Sequence, residues 1–256
     1  VPTMGSLHEG HLSLLRAARA ECDVVVMSLF VNPAQFAPGE DFDRYPRDEE
    51  SDLRLAAEAG VDIVYAPPVE EVYPDGFATQ VEVSGLTEVL CGDPRRRGPG
   101  HFCGVTTVVA KLFNSVAPDV AYFGQKDAQQ VAVIRRMVRD LDFDLRIEAL
   151  PIVREPDGLA MSSRNAYLDP DDRARATALL RALRAVERTA AESSLSAGLE
   201  AGRRVLEEAG IEPEYLEARD SESLEPVAEP SGRPVLVAVA ARVGRARLID
   251  NILIRP

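Results

Sequence analysis

Val1-Pro2-Thr3-Met4-Gly5-Ser6-Leu7-His8-Glu9-Gly10-His11-Leu12 opens the chain, and the way it continues decides the fold. Leu12, Leu15, Ala18 and Cys22 carry an apolar pattern at helical spacing, after which Asp23-Val24-Val25-Val26-Met27-Ser28-Leu29-Phe30-Val31 reads as a buried strand. The alternation repeats. An acidic helix over 48–60 stops at Gly60, and Val61-Asp62-Ile63-Val64-Tyr65 follows as a strand. A helix over 104–116, a strand Asp119-Val120-Ala121-Tyr122-Phe123, a helix over 128–141 and a strand over 145–150 complete the series. Such alternation implies α/β architecture, with a parallel sheet covered on both faces.

A turn built for phosphate normally follows a full strand. Only Val1 and Pro2 precede Thr3, so the first strand of this Rossmann-like sheet is expected to be missing from the sequence. The pattern breaks at Pro156-Asp157-Gly158, a strong turn signal. Two domains are therefore expected, 1–153 and 154–256, the second a small α+β lid. Its helices run from Pro170 to about Gly210 with a break near Ser193-Ser194, and strands follow at 214–218, 235–243 and 247–254. Ser231-Gly232 and Gly244-Arg245 read as turns, the latter as a hairpin tip.

The bulk properties narrow the function classes. The 256 residues hold 42 acidic against 29 basic side chains, a formal net charge of −13, which disfavours extended nucleic-acid binding. Three cysteines, Cys22, Cys91 and Cys103, have no zinc spacing and cannot form a full disulfide framework, which points to a reducing, cytoplasmic setting. No apolar run approaches the ~20 residues of a membrane span.

The chemistry is expected where strands end. His8 and His11 are two of only three histidines, and at a spacing of three they share one face of a helix's first turn, where amide N–H groups and the dipole attract phosphate. Gly5 permits a tight turn before the helix, and Gly10 lets a ring lie against the backbone. Three more clusters stand out. Phe30-Val31-Asn32-Pro33-Ala34-Gln35-Phe36 reads either as a pocket for a small polar molecule or as an ordinary Asn-Pro turn. In Phe123-Gly124-Gln125-Lys126-Asp127-Ala128-Gln129-Gln130, Lys126 holds phosphate or is surface charge, and Asp127 is placed to cap a helix. Met161-Ser162-Ser163-Arg164-Asn165 offers hydroxyls and a guanidinium suited to phosphate oxygens, though Ser-Ser-Arg is also common on surfaces.

The order of these motifs, together with Gly100-His101-Phe102, Asp157-Gly158-Leu159-Ala160 and the closing Leu248-Ile249-Asp250-Asn251, resembles the pantothenate synthetase (pantoate:β-alanine ligase) family over nearly the whole chain. That family belongs to the His-x-Gly-His nucleotidyltransferases. The resemblance implies an AMP-forming carbon–nitrogen ligase in which ATP and pantoate give pantoyl adenylate and pyrophosphate, and the β-alanine amine then displaces AMP. It implies catalytic roles for His11 (the family's proton donor), His8, Lys126 and Arg164. ATP contacts are implied at Met4, Gly5, His8, His11, Gly124, Gln125, Lys126, Asp127, Val153, Met161, Ser162, Ser163 and Arg164. Pantoate contacts are implied at Gln35 and Gln130, with Met4 and Asn32 beside them. Mg²⁺ is expected to accompany the nucleotide without an assigned protein ligand, and a homodimer is implied. Two departures stand out: Gln125 occupies a position where relatives commonly carry glutamate, and Cys91-Gly92-Asp93-Pro94-Arg95-Arg96-Arg97-Gly98-Pro99-Gly100-His101 is longer than the usual spacing, which leaves open which arginine enters the site. The alternatives are another nucleotidyltransferase of this motif class and a nucleotide-binding regulator without turnover.

Overall fold

The computed structural model describes residues 1–37, 39, 42–230 and 232–255; Ser231, half of one expected turn, lies outside them. The chain divides into two compact units, Val1–Gln125 with Gln129–Pro151, and Ile152–Pro256 with Lys126–Ala128.

The first unit alternates strand and helix: β1 (Pro2–Thr3), α1 (Glu9–Glu21), β2 (Val26–Leu29), α2 (Glu49–Glu58), β3 (Ile63–Tyr65), the short α3 (Val69–Val72), α4 (Pro99–Val116), β4 (Val120–Gly124), α5 (Ala128–Asp140) and β5 (Arg146–Leu150). All pairings are parallel, β1 with β2, β2 with β3, and β4 with β5. The pairings make one sheet of β1, β2 and β3 and a second of β4 and β5, with β1 lying near β4. Of the first strand, only the two residues of β1 are in this chain. They pair with β2: the Ser28 amide donates to Val1 O at 3.0 Å, the Phe30 amide to Thr3 O at 3.1 Å, and Thr3 Oγ1 to Ser28 O at 2.7 Å. Leu14, Leu15 and Ala18 of α1, Met27 of β2, Ala56 of α2 and Tyr122 of β4 form the core beneath it.

Two boundaries differ from expectation for local reasons. Helix α4 starts at Pro99 rather than 104, with proline's fixed φ in its first turn and Gly98 before it at φ +79°, an N-terminus with no side-chain cap to announce it. In the second unit the expected pair of helices is three, α6 (Pro170–Ala176), α7 (Ala178–Glu192) and α8 (Leu195–Glu208). The extra break falls at Thr177, whose hydroxyl donates to Ala174 O at 2.7 Å. Helices α7 and α8 pack closely at Gly202, where a Cβ would come within 2.6 Å of Val186. Strands β6 (Pro213–Asp220), β7 (Val235–Val243) and β8 (Ala246–Ile254) form an antiparallel sheet with β7 central and almost wholly buried. Residues Gly244 and Arg245 turn the β7–β8 hairpin, with Val243 opposite Ala246.

Candidate active site

In open parallel α/β sheets ligands bind beyond the carboxyl ends of the strands, and here β1 and β4 lie near each other. The turn leaving β1 passes through Gly5 at φ +79° and Ser6 at φ +52°. Asp52 of α2, only 3% exposed, accepts the Ser6 amide at 2.9 Å and the Leu7 amide at 2.7 Å. A Cβ on Gly5 would sit 2.7 Å from the same carboxylate, so glycine is required by space as well as by φ. Asp52 thereby occupies amides that would otherwise be open to an external anion.

His8 then caps α1. Its Nδ1 accepts the Gly10 amide at 3.1 Å, and the His8 amide donates back to His11 Nδ1 at 3.3 Å. The ring centroids are 4.1 Å apart. With both Nδ1 atoms accepting, a neutral imidazole at either position carries its proton on Nε2. The donors here are thus two neighbouring Nε2–H groups, while the turn's own amides are largely internally bonded.

The turn after β2 is a single 3₁₀ turn, Pro33–Gln35, capped by Asn32. Asn32 is 1% exposed and uses both ends of its amide. Its Oδ1 accepts from Tyr73 Oη at 2.8 Å and the Ala34 amide at 3.2 Å; its Nδ2 donates to Gly104 O at 3.0 Å and Gln35 Oε1 at 3.3 Å. Gln35 Nε2 donates to Met4 Sδ at 2.8 Å, so its amide is held with a known polarity next to the β1 turn. Burial pushes the Tyr73 hydroxyl up to about 12, keeping it a neutral donor near neutral pH. Gly124 ends β4 and Gln125 follows it, and Gln130 lies half-buried in the first turn of α5. Its neighbour Gln129 is buried and structural, bonding the Cys91 amide and the Leu86 and Val89 carbonyls.

The second unit gathers a different set. Lys126 Nζ donates to Met161 O at 3.3 Å and lies 3.9 Å from Asp127, and the Lys126 carbonyl accepts from Asn251 Nδ2 at 3.0 Å. The Met161 amide donates to Val153 O at 3.0 Å, and Ser162 Oγ accepts the Arg164 amide at 3.2 Å, capping the 3₁₀ turn Ser163–Tyr167. Asn165 ties this turn to Glu155 at 2.8 Å, and Arg173 pairs with Glu155 at 2.6 Å and Asp157 at 2.9 Å. Behind it, Arg154 holds the buried Asp250 in a two-pronged ion pair of 2.7 and 2.9 Å. Burial pushes the Asp250 carboxyl up against the opposing pull of Arg154.

Asp52 and Tyr73 carry parts of this geometry that the sequence reading did not single out. Among the described residues no group of three or more His, Cys, Asp or Glu side chains is placed to hold a metal ion.

A sequence model of the pantoate-beta-alanine ligase family matches residues 1–253. The chain belongs to that family. Pantothenate synthetase of Moorella thermoacetica is 58% identical over 267 residues, spanning 99% of this chain and 89% of the relative. The crystal structure of the Thermus thermophilus enzyme superposes with a TM-score of 0.94 at 50% identity, covering 100% of this chain and 92% of that one. The Francisella tularensis ligase, solved with β,γ-ATP and β-alanine, superposes with a TM-score of 0.81 at 34% identity over 98% and 87% of the two chains. Members are carbon–nitrogen ligases, and this chain is one of them.

Proposed function

We propose that this chain joins pantoate to β-alanine in two steps at the expense of ATP. A carboxylate oxygen of pantoate attacks the α-phosphorus and pyrophosphate departs; the β-alanine nitrogen then attacks the acyl carbon and AMP departs. Direct condensation of a carboxylate and an amine is unfavourable in water, so the acyl group must first acquire a good leaving group. The observation that carries this reading is the adjacent pair of imidazoles His8 and His11, each fixed by a backbone amide on Nδ1, which directs a neutral ring's proton to Nε2. Donors aimed where charge develops on the α-phosphate favour departure of pyrophosphate. Met4 and Gly5 form the adjoining turn.

Gln35, Gln130, Asn32 and Met4 are assigned to pantoate. A neutral amide orients a carboxylate without stabilising it so strongly that its nucleophilicity is lost. Lys126, Asp127, Val153, Met161, Ser162, Ser163 and Arg164 are assigned to the nucleotide with Gly124 and Gln125; the cation, guanidinium and hydroxyls suit its phosphates. These groups are mostly donors, matched to phosphate oxygens rather than to a hard cation, so Mg²⁺ is assigned to the ATP complex and no step runs through a protein-bound ion. We assign a homodimeric state and a cytoplasmic location on family resemblance. No described helix is long and apolar enough to cross a membrane.

Isotope exchange between ATP and pyrophosphate tests the first step. Exchange is expected to require pantoate and not β-alanine, and the full reaction to yield AMP. Exchange without pantoate, or ADP as product, defeats the reading.

A further inference from the structure

The Gly100-His101-Phe102 motif and the arginine-rich segment before it have no part in the mechanism above. His101 lies in the first turn of α4, with Nδ1 2.7 Å from Gln35 O and Nε2 3.2 Å from Arg97 Nη1. A guanidinium only donates and a carbonyl only accepts. Both contacts are satisfied together by one form of the ring, the neutral imidazole with its proton on Nδ1. This is the opposite tautomer to that of His8 and His11. The neighbouring arginines are engaged elsewhere, Arg95 with Asp93 and Arg96 with Leu90 O at 2.8 Å.

One turn further along α4, Gly104 brings the helix backbone against the same 3₁₀ turn. A Cβ there would lie 2.2 Å from Ala34 O, and Gly104 O accepts the Asn32 side chain. Helix α4 therefore holds Pro33–Gln35 at two points, by close backbone approach at Ala34 and by an imidazole at Gln35.

We propose that His101, locked in its Nδ1–H tautomer by Arg97, is a positioning residue for the hydroxy-acid substrate, acting by fixing the Gln35 backbone from which the substrate-directed amide projects. The proposal rests on the assignment of Gln35 to pantoate. It resolves which arginine of the extended segment serves the site: Arg97, through His101 rather than by touching substrate.

The test combines kinetics with a direct view of the ring. In ATP–pyrophosphate exchange, His101→Gln, whose amide reaches the Nε2 position and abandons the Gln35 carbonyl, is expected to raise the pantoate KM about tenfold, the size of one lost hydrogen bond. The ATP KM should stay within about twofold, since no nucleotide contact changes. His101→Asn places an N–H at the Nδ1 position and is expected to restore most of the loss. Nitrogen-15 NMR of the full chain should show His101 protonated at Nδ1 and bare at Nε2, a preference that Arg97→Leu weakens. An Nε2–H tautomer, equal impairment of the Asn and Gln variants, or parallel rises in both KM values overturns the proposal. If Gln35→Ala raises the pantoate KM but His101→Gln matches the parent, the positioning role alone fails; if Gln35→Ala leaves it unchanged, the substrate assignment fails and the proposal with it. Where His101→Gln proves unstable by thermal melting, Arg97→Leu supplies the same kinetic comparison.

Discussion

The turn after β1 and the turn at Ser163–Tyr167 both present donors, but they are braced in opposite ways. The first depends on one carboxylate: Asp52, almost wholly buried, takes two consecutive amides directly. The second is held by many parts, including the Ser162 cap, the Val153 carbonyl, Asn165 and the Glu155–Arg173–Asp157 cluster, whose Glu155 side chain is 23% exposed. Concentrated bracing in a dry place gives rigidity and a single point of failure. Distributed bracing near water tolerates the loss of any one member.

The largest effect is expected at the chemistry that the first turn carries. His11→Ala should lower the exchange rate by about 10²–10⁴, with a much smaller loss of ATP affinity by calorimetry. Equal losses would reduce the turn to a binding element. Asp52→Ala leaves the amides of half-buried Ser6 and Leu7 without their carboxylate and should destabilise the chain by about 3 kcal/mol in denaturant unfolding. Glu155→Gln, by contrast, keeps its shape and part of its bonding, and about 1 kcal/mol is expected from the same measurement. Similar values for the two variants would break the comparison.

The smallest effect concerns acid. Arg173 beside Glu155 holds its carboxyl below the ordinary 4.5, so near that pH the folded chain binds fewer protons there than the unfolded one. The resulting stability is fully present above about pH 4.5 and is lost as pH falls through the depressed value. Arg173→Leu should flatten this part of the acid limb of a stability–pH curve; an unchanged limb would show that the pair contributes nothing.

What the sequence made legible was local. The α/β alternation, the helix stop at Gly60 and the Gly244-Arg245 hairpin tip are written in periodicity and turn chemistry, and the structure contains them. The closeness of the His8 and His11 rings shows in their spacing, but not that His8 stands before α1 as its cap. Asp52 was hidden among the acidic residues of α2, since nothing in a run of Glu and Asp marks the one that turns inward to amides more than forty positions away. Asn251 could be quoted in the closing motif, but not its partner, the Lys126 carbonyl 125 positions away. His101 could be quoted as a motif member, but its partner is a backbone carbonyl, which leaves no trace in side-chain pattern. The start of α4 has glycine and proline but no side-chain cap, and the break at Thr177 has no glycine to mark it.

The Asp52 clamp bears on portability. A designer who transplanted residues 3–11 onto another parallel sheet would carry over the imidazoles and the glycine but leave their anchor behind on α2. The graft would arrive with two open amides competing for whatever anion the buffer supplied, and the rings would inherit that disorder. The smallest transferable unit is therefore a strand, a turn and two helices, with the carboxylate of the second helix counted as part of the first helix's motif.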